Sequence, residues 1–272
     1  MLHEFQYVSP ASLDELLDFL AGHGEQSRII SGGTDLLVAI RSGLLKPEWV
    51  VDIKKVPGLD DLSFDEATGL TIGACVTVNR LIDDPIVRKR YPILHTAGSE
   101  LATFQLRNRA TVIGNIVTAS PCGDMSSPLL CLGASVTLQS KNGSREMPLQ
   151  QFITGVKKTQ IAPNEIVTRI TVPVEQIDAH GGYKKLKRIK GHDLGVVSVA
   201  MTRRNGTTRV AISSAAPTPV LLSDFPSDTS VAQMQEAAQK SISPIDDVRC
   251  TKEYRSFMVD VFIRRLAEEM PV

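Results

Sequence analysis

The 272-residue sequence has no charge excess: 30 Lys and Arg balance 30 Asp and Glu. Proteins that bind nucleic acid or anionic membranes normally carry a basic surplus, so neither partner class is expected. No apolar run approaches the ~20 residues a membrane-spanning helix needs, which argues against membrane insertion. Residues Met1 to Pro10 lack a basic start followed by an apolar core. No secretory signal is read there, and the cytoplasm is the expected compartment. The four cysteines, Cys75, Cys122, Cys131 and Cys250, form no C-x-x-C pair and match no zinc spacing. They read as buried or inert thiols. The five histidines, His3, His23, His95, His180 and His192, are scattered without ligand spacing. Each reads as a surface or locally bonded side chain, and no metal site is assigned. G-x-S-x-G and H-E-x-x-H are missing, so no hydrolytic nucleophile or metalloprotease helix is present and no catalytic residue is assigned. G-x-G-x-x-G is missing too, which removes the Rossmann fingerprint. Internal repeats and low-complexity segments are absent. Asn142-Gly-Ser and Asn205-Gly-Thr spell glycosylation sequons, but without a secretory signal they read as turns.

What remains is an ordinary globular composition with ample material for a core, in one or two domains. Glu4–Val8 reads as a strand. Ser12 caps a helix, with Glu15 three residues on and Leu13, Leu16, Leu17 and Leu20 on one face. After the buried strand Arg28-Ile-Ile comes Ser31-Gly-Gly-Thr-Asp-Leu-Leu. Successive backbone N–H groups of such a turn can nest an anion such as phosphate. Trp49–Ile53 and Gly69–Ala74 read as strands. The stretch Arg107–Asp124, RNRATVIGNIVTASPCGD, is poor in charge and rich in small residues. That suits a backbone approached closely by a ligand, with Gly114 permissive, Asn115 able to donate and accept, and Asp124 ready to accept two hydroxyl bonds. The alternative is an ordinary glycine-containing loop. Asn142-Gly143 and Asn205-Gly206 read as hairpin turns. Asn164–Pro173 reads as a strand, Val174–Gly181 as a polar linker, and Tyr183–Arg188 as a strand with a basic solvent face. Two apolar strands and two helices, Ser230–Ser241 and Lys252–Glu269, complete the chain. In the last helix Tyr254, Phe257, Met258, Val261, Phe262, Arg265 and Leu266 keep a 3.6-residue period.

Ser31-Gly-Gly-Thr-Asp-Leu-Leu resembles the first flavin segment, [AS]-G-G-T-D-L-L, of the FAD subunits of molybdenum hydroxylases, the xanthine dehydrogenase and carbon monoxide dehydrogenase family. RNRATVIGNIVTASPCGD resembles their second, RN-x-A-T-[IV]-G-G-N-[IL]-x-T-A-S-P-x-x-D. Thr111, Gly114, Asn115, Thr118, Ala119, Ser120, Pro121 and Asp124 stand in place, and Ile113 replaces the first glycine of the pair. Gly69-Leu-Thr-Ile-Gly-Ala, Phe152 to Thr159, Gly182-Tyr-x-Lys-x-x-Arg, His192-Asp193 and Asp247-Val-Arg extend the likeness over nearly the whole chain.

The resemblance implies an α+β flavoprotein. Residues 1–175 would be a two-lobed FAD-binding domain of the vanillyl-alcohol-oxidase (PCMH) type, with lobes at about 1–55 and 56–175. Residues 176–272 would be a small C-terminal domain, an antiparallel sheet with helices on one face. FAD would be noncovalent, since no histidine lies in either segment. Its pyrophosphate would meet the main chain of Ile29, Ile30, Ser31, Gly32, Gly33, Thr34, Asp35 and Leu36, and of Thr111, Val112, Ile113, Gly114 and Asn115. Ile113 would be extended, with its side chain turned away. Hydroxyls of Thr34, Thr111 and Thr118 would add bonds, and Asp124 would accept from ribityl or ribose hydroxyls. Leu101 and Val167 would line the flavin or adenine surface, and Lys185 would approach the isoalloxazine. The implied partners are a molybdopterin-binding large subunit and a small subunit with two [2Fe–2S] clusters, in a dimer of heterotrimers. Electrons would pass through FAD to NAD or another acceptor. In some relatives this subunit carries an extra iron–sulfur cluster, which makes Cys122 and Cys131 of interest. Two other readings are a free-standing flavin oxidase of this fold and a non-catalytic FAD-binding or regulatory relative.

Overall fold

The computed structural model describes residues 3–270. Three larger sheets follow one another along the described chain, with a small two-stranded ribbon, Ile153–Gly155 and Lys158–Thr159, beside them. Gln6–Val8, Ser27–Ile30 and Trp49–Asp52 form a parallel sheet with Trp49–Asp52 at its centre. Parallel neighbours need crossover connections. Here the helix Leu13–His23 links the two outer strands and buries Leu16, Leu17 and Leu20. Ser12 Oγ accepts from Glu15 N at 3.2 Å, while the Glu15 carboxylate reaches past the cap to Ala11 N at 2.8 Å.

The second sheet is antiparallel, in the order Leu62–Asp65, Gly69–Gly73, Ile166–Val172, Ser135–Ser140, Gly143–Pro148. Between Gly73 and Ser135 the chain leaves the sheet through short helices, among them Pro92–Glu100, Val112–Val117 and Ser126–Cys131. One continuous apolar core runs through both of these regions.

The third sheet is antiparallel: His180–Leu186, Val197–Arg204, Thr207–Ser213 and Val220–Leu221 in order, with Phe225–Pro226 also pairing to Thr207–Ser213. Its alternation assigns two faces. Val197, Val199, Met201, Val210 and Ile212 pack with the helices Val231–Ser241 and Lys252–Glu269. Tyr183, Ala200 and Ala211 point the other way, into the core of the preceding region. That face is lined with small residues, so the helix Pro92–Glu100 lies close to it; a Cβ at Gly181 would stand 3.1 Å from Ile93 Cβ.

Two expectations need correction. The segment 174–181 is not a loose polar linker. Val174–Gln176 is a 3₁₀ turn, Ile177 and Ala179 are buried in the first core, and Asp178 N donates to Arg90 O at 2.9 Å. In the last helix Tyr254 and Phe257 face solvent, and Val259 and Ile263 are buried instead. The stripe turns because the sheet, rather than the helix, decides which flank is covered.

Candidate functional site

The turn after Ser27–Ile30 and the stretch around Val112–Val117 meet at one cavity of about 670 Å³. Ile29, Ile30, Ser31, Gly32, Gly33, Thr34, Asp35 and Leu36 line it from the first segment. Thr111, Ile113, Gly114, Asn115, Thr118 and Asp124 line it from the second, and Leu101 and Val167 add apolar wall. The volume and the mix of apolar wall with a few polar groups suit a cofactor-sized ligand.

Local chemistry explains the meeting. A Cβ at Gly32 would overlap the Arg109 carbonyl, so only glycine lets the two segments touch. Gly33 sits at φ +74°, a left-handed conformation that favours glycine. Thr118 Oγ1 donates to Asp35 Oδ2 at 3.3 Å and ties the segments across the site. Ser31 Oγ donates to Ala74 O at 3.3 Å, and Lys54 Nζ, paired with Asp52 at 2.6 Å, donates to Ser31 O at 3.4 Å. The backbone N–H groups of Gly32, Gly33, Thr34 and Asp35 have no acceptor among the described residues, nor have those of Thr111 and Ile113. Polar groups left unpaired at a cavity wall are ready for an anionic or hydrogen-bonding ligand.

The second segment is built differently. Thr111 caps the helix Val112–Val117, its hydroxyl accepting from Gly114 N at 3.1 Å. Ile113 therefore lies in the first helical turn, not in extended chain. It has no positive φ, is 4% exposed, and its side chain packs into the core beside the cavity. Val112 is not on the cavity wall. It is fully buried and its N–H is used by Val76 O at 3.1 Å. Asn115 Oδ1 accepts from Met125 N at 3.2 Å, so this side chain braces the loop that carries Asp124.

Lys185 also departs from expectation. Its strand has no basic solvent face. Lys185 is enclosed, its side chain 1% exposed, and Lys184 on the opposite face pairs with Glu269 at 2.5 Å. Lys185 Nζ lies 2.8 Å from Asp124 Oδ1 and 2.9 Å from Oδ2, and donates to Glu100 O at 3.0 Å. It is not on the cavity wall, and its donors are already engaged. Tyr183 Oη donates to Asp124 Oδ1 at 2.9 Å. Burial pushes the Asp124 carboxyl up from its ordinary range, and the Lys185 ammonium and the two hydrogen bonds oppose this. Burial also lifts the Tyr183 phenol well above its usual range.

Several lining residues escaped the sequence reading. Ile189, His192, Asp193 and Leu194 reach the cavity from the loop after His180–Leu186. His192-Asp193 carried a signal as a matching dipeptide, but scattered histidines read as surface. Hydrogen bonds from Arg188 hold the Asp193 carboxyl down at about 2. Cys122 lines the cavity and receives Arg249 Nη1 at 2.9 Å, whereas Cys131 is buried elsewhere, donating to Ala200 O at 3.4 Å. Ser120, already part of the second segment's pattern, also lines the wall, together with Ile161 and Ile166.

Residues 3–175 match the family described as the FAD binding domain in molybdopterin dehydrogenase. The chain is 31% identical over 282 residues to the nicotine 6-hydroxylase medium subunit of Paenarthrobacter nicotinovorans, covering 98% of each. It is 29% identical over 273 residues to the carbon monoxide dehydrogenase medium chain of Hydrogenophaga pseudoflava, covering 96% of this chain and 95% of that one. The fold superposes on a chain of the solved carbon monoxide dehydrogenase of Hydrogenophaga pseudoflava with a TM-score of 0.91 at 28% identity, over 98% and 97% of the two chains. For quinoline 2-oxidoreductase from Pseudomonas putida the TM-score is 0.89 at 26% identity, over 99% and 97%. The α+β architecture expected from the sequence is thus the one these flavoprotein chains share. With two anion-ready segments on one cavity and a family match across more than half its length, the chain belongs to the FAD-binding medium subunits of the molybdenum hydroxylases.

Proposed function

We propose that the chain holds one noncovalent FAD in the 670 Å³ cavity and serves as the electron-transfer subunit of a molybdopterin-dependent hydroxylase. The observation that carries this is the convergence of two distant segments, each with unpaired main-chain N–H groups, on a single cavity. The Gly32–Asp35 turn, with Thr111 and Ile113, would receive the pyrophosphate. Asp35 and Thr118 would fix the separation of the two segments, and Asp124 would accept from ribityl or ribose hydroxyls. Leu101 and Val167 would exclude water from the ring system. FAD supplies the redox chemistry, and the protein supplies binding, orientation and electrostatics.

In the assembled enzyme a small subunit with two [2Fe–2S] clusters would deliver electrons that a molybdopterin-binding large subunit takes from substrate. They would leave through this subunit to NAD or another acceptor, in a dimer of heterotrimers. No helix among the described residues is long and apolar enough to cross a membrane, and a cytoplasmic enzyme is the reading adopted. Purified full-length protein should be yellow, with a flavin spectrum at one FAD per chain. Acid precipitation should leave all the flavin in the supernatant. Flavin retained in the pellet would overturn noncovalent attachment, and a colourless protein that takes up no FAD would favour a non-catalytic relative. With the small subunit reduced, bleaching of the flavin followed by NADH formation would identify NAD as the acceptor. Bleaching without NADH would point to another.

A further inference from the structure

The third sheet places no residue of its strands on the cavity wall, yet it holds the wall in place. Tyr183 and Lys185 stand two apart on one strand, so both side chains emerge from the face that packs on the N-terminal region. Tyr183 Oη reaches Asp124 at 2.9 Å. Lys185 Nζ reaches both Asp124 oxygens, at 2.8 and 2.9 Å, and Glu100 O at 3.0 Å. Glu100 ends the helix Pro92–Glu100, and the next residue, Leu101, lines the cavity, as Asp124 does. One enclosed ammonium group therefore pins two pieces of the wall. A second lysine on the same edge, Lys187, pairs with the Glu100 carboxylate at 2.6 Å.

We infer that Tyr183 and Lys185 are positioning residues for FAD: by fixing Asp124 and the Glu100–Leu101 corner they make flavin affinity depend on docking of the C-terminal sheet. This rests on the reading that Asp124 accepts from the flavin's hydroxyls. With both of its oxygens engaged by Tyr183 and Lys185, the carboxylate keeps a fixed orientation for its remaining lone pairs. Freed of them, it would rotate or draw in water, and a flavin hydroxyl would meet a mobile acceptor.

The test is FAD titration of the flavin-stripped full chain, with a thermal midpoint measured on the apo form of each variant. Tyr183→Phe removes a single hydroxyl with little change of volume and should weaken FAD binding by threefold to tenfold. Lys185→Met should weaken it tenfold or more. In an Asp124→Ala background, itself weakened, Tyr183→Phe should produce no further loss, because no acceptor is left for the hydroxyl to orient. Tyr183→Phe guards against a fold failure in Lys185→Met. Should both variants lower the apo midpoint but leave the FAD dissociation constant unchanged, while Asp124→Ala weakens binding, the pair only glues the regions together and the inference falls. Should Asp124→Ala itself leave affinity unchanged, the assignment of Asp124 to the flavin fails first, and the inference with it.

Discussion

The two segments that meet at the cavity offer main-chain N–H groups by opposite means. Ser31–Asp35 does it with irregular chain: Gly32 for close approach, Gly33 at φ +74°, and four consecutive N–H groups without acceptors among the described residues. Thr111–Thr118 does it with regular structure: a capped helical turn in which Thr111 already satisfies Gly114 and leaves Ile113 N–H available. The difference shows in what each tolerates. A left-handed or tightly crowded backbone admits only glycine, whereas a helical turn admits almost any side chain that packs. The first segment therefore matches its family pattern without exception, and the second carries an isoleucine where the pattern has glycine.

Gly32→Ala attacks the first device directly. Its new methyl group would overlap the Arg109 carbonyl, which belongs to backbone and has little room to retreat. Overpacking of this kind costs about 1–3 kcal/mol, and here the segments themselves must part. Loss of about two decades in FAD affinity is expected at the upper end of that range, read by titration of the stripped protein. Normal flavin content in Gly32→Ala would show that the contact between the segments is dispensable.

Asp124→Ala closes the second segment's far end. Removal of a carboxylate that accepts hydroxyl bonds should weaken FAD by about one to two decades, ~1.5–3 kcal/mol. The structure adds an effect the sequence did not reveal. Lys185, 1% exposed, loses its partner, and breaking a buried ion pair from one side costs about 3–5 kcal/mol of stability. Denaturant unfolding of the apo form separates the two losses. Weakened flavin binding with unchanged apo stability would argue that Lys185 finds water.

These cases show how far the sequence could be read. Ser31–Leu36 and Thr111–Asp124 were legible because backbone requirements leave a residue signature: glycine where a side chain collides, threonine where a cap is needed. Lys185 was not. In the sequence it sits in Tyr-Lys-Lys-Leu-Lys-Arg, and only the register of the sheet on the helix Pro92–Glu100 reveals that one of these lysines is enclosed while its neighbour pairs with Glu269. Ile113, expected in extended chain, lies instead in a helical turn capped by Thr111, and the same turn buries Val112 and spends its N–H on Val76 O. The loop residues Ile189, His192, Asp193 and Leu194 were invisible as a wall because their place depends on how two regions dock.

Thr111→Ala tests whether the second segment's regular structure matters to the ligand. The hydroxyl leaves Gly114 N–H without its 3.1 Å acceptor. Loss of a cap costs about 1 kcal/mol, which lowers the melting temperature of a protein this size by roughly 2–4 °C. If the capped turn presents the N–H groups, FAD affinity should fall by about fivefold as well. A lower melting temperature with unchanged affinity would mean that the turn is held by the core alone.

The smallest effect is expected at Ile113. Its φ is not positive, so the isoleucine bears no left-handed strain that glycine would relieve. Its side chain is 4% exposed and belongs to the apolar core. What it contributes toward a ligand is the unpaired N–H, which every residue but proline has. Ile113→Gly should therefore lower the stability of the apo protein, because a buried side chain is lost and a helical position is loosened, while FAD affinity stays nearly unchanged. Weak intrinsic affinity in the wild-type chain would not by itself decide the matter, since other lining residues could cause it. The informative number is the ratio of dissociation constants for the two proteins. A gain above about tenfold, ~1.4 kcal/mol, on removing the side chain would show that Ile113 obstructs the cavity. It would mean that regular structure in the second segment is less tolerant than the geometry implies, and that this chain has drifted away from tight flavin binding.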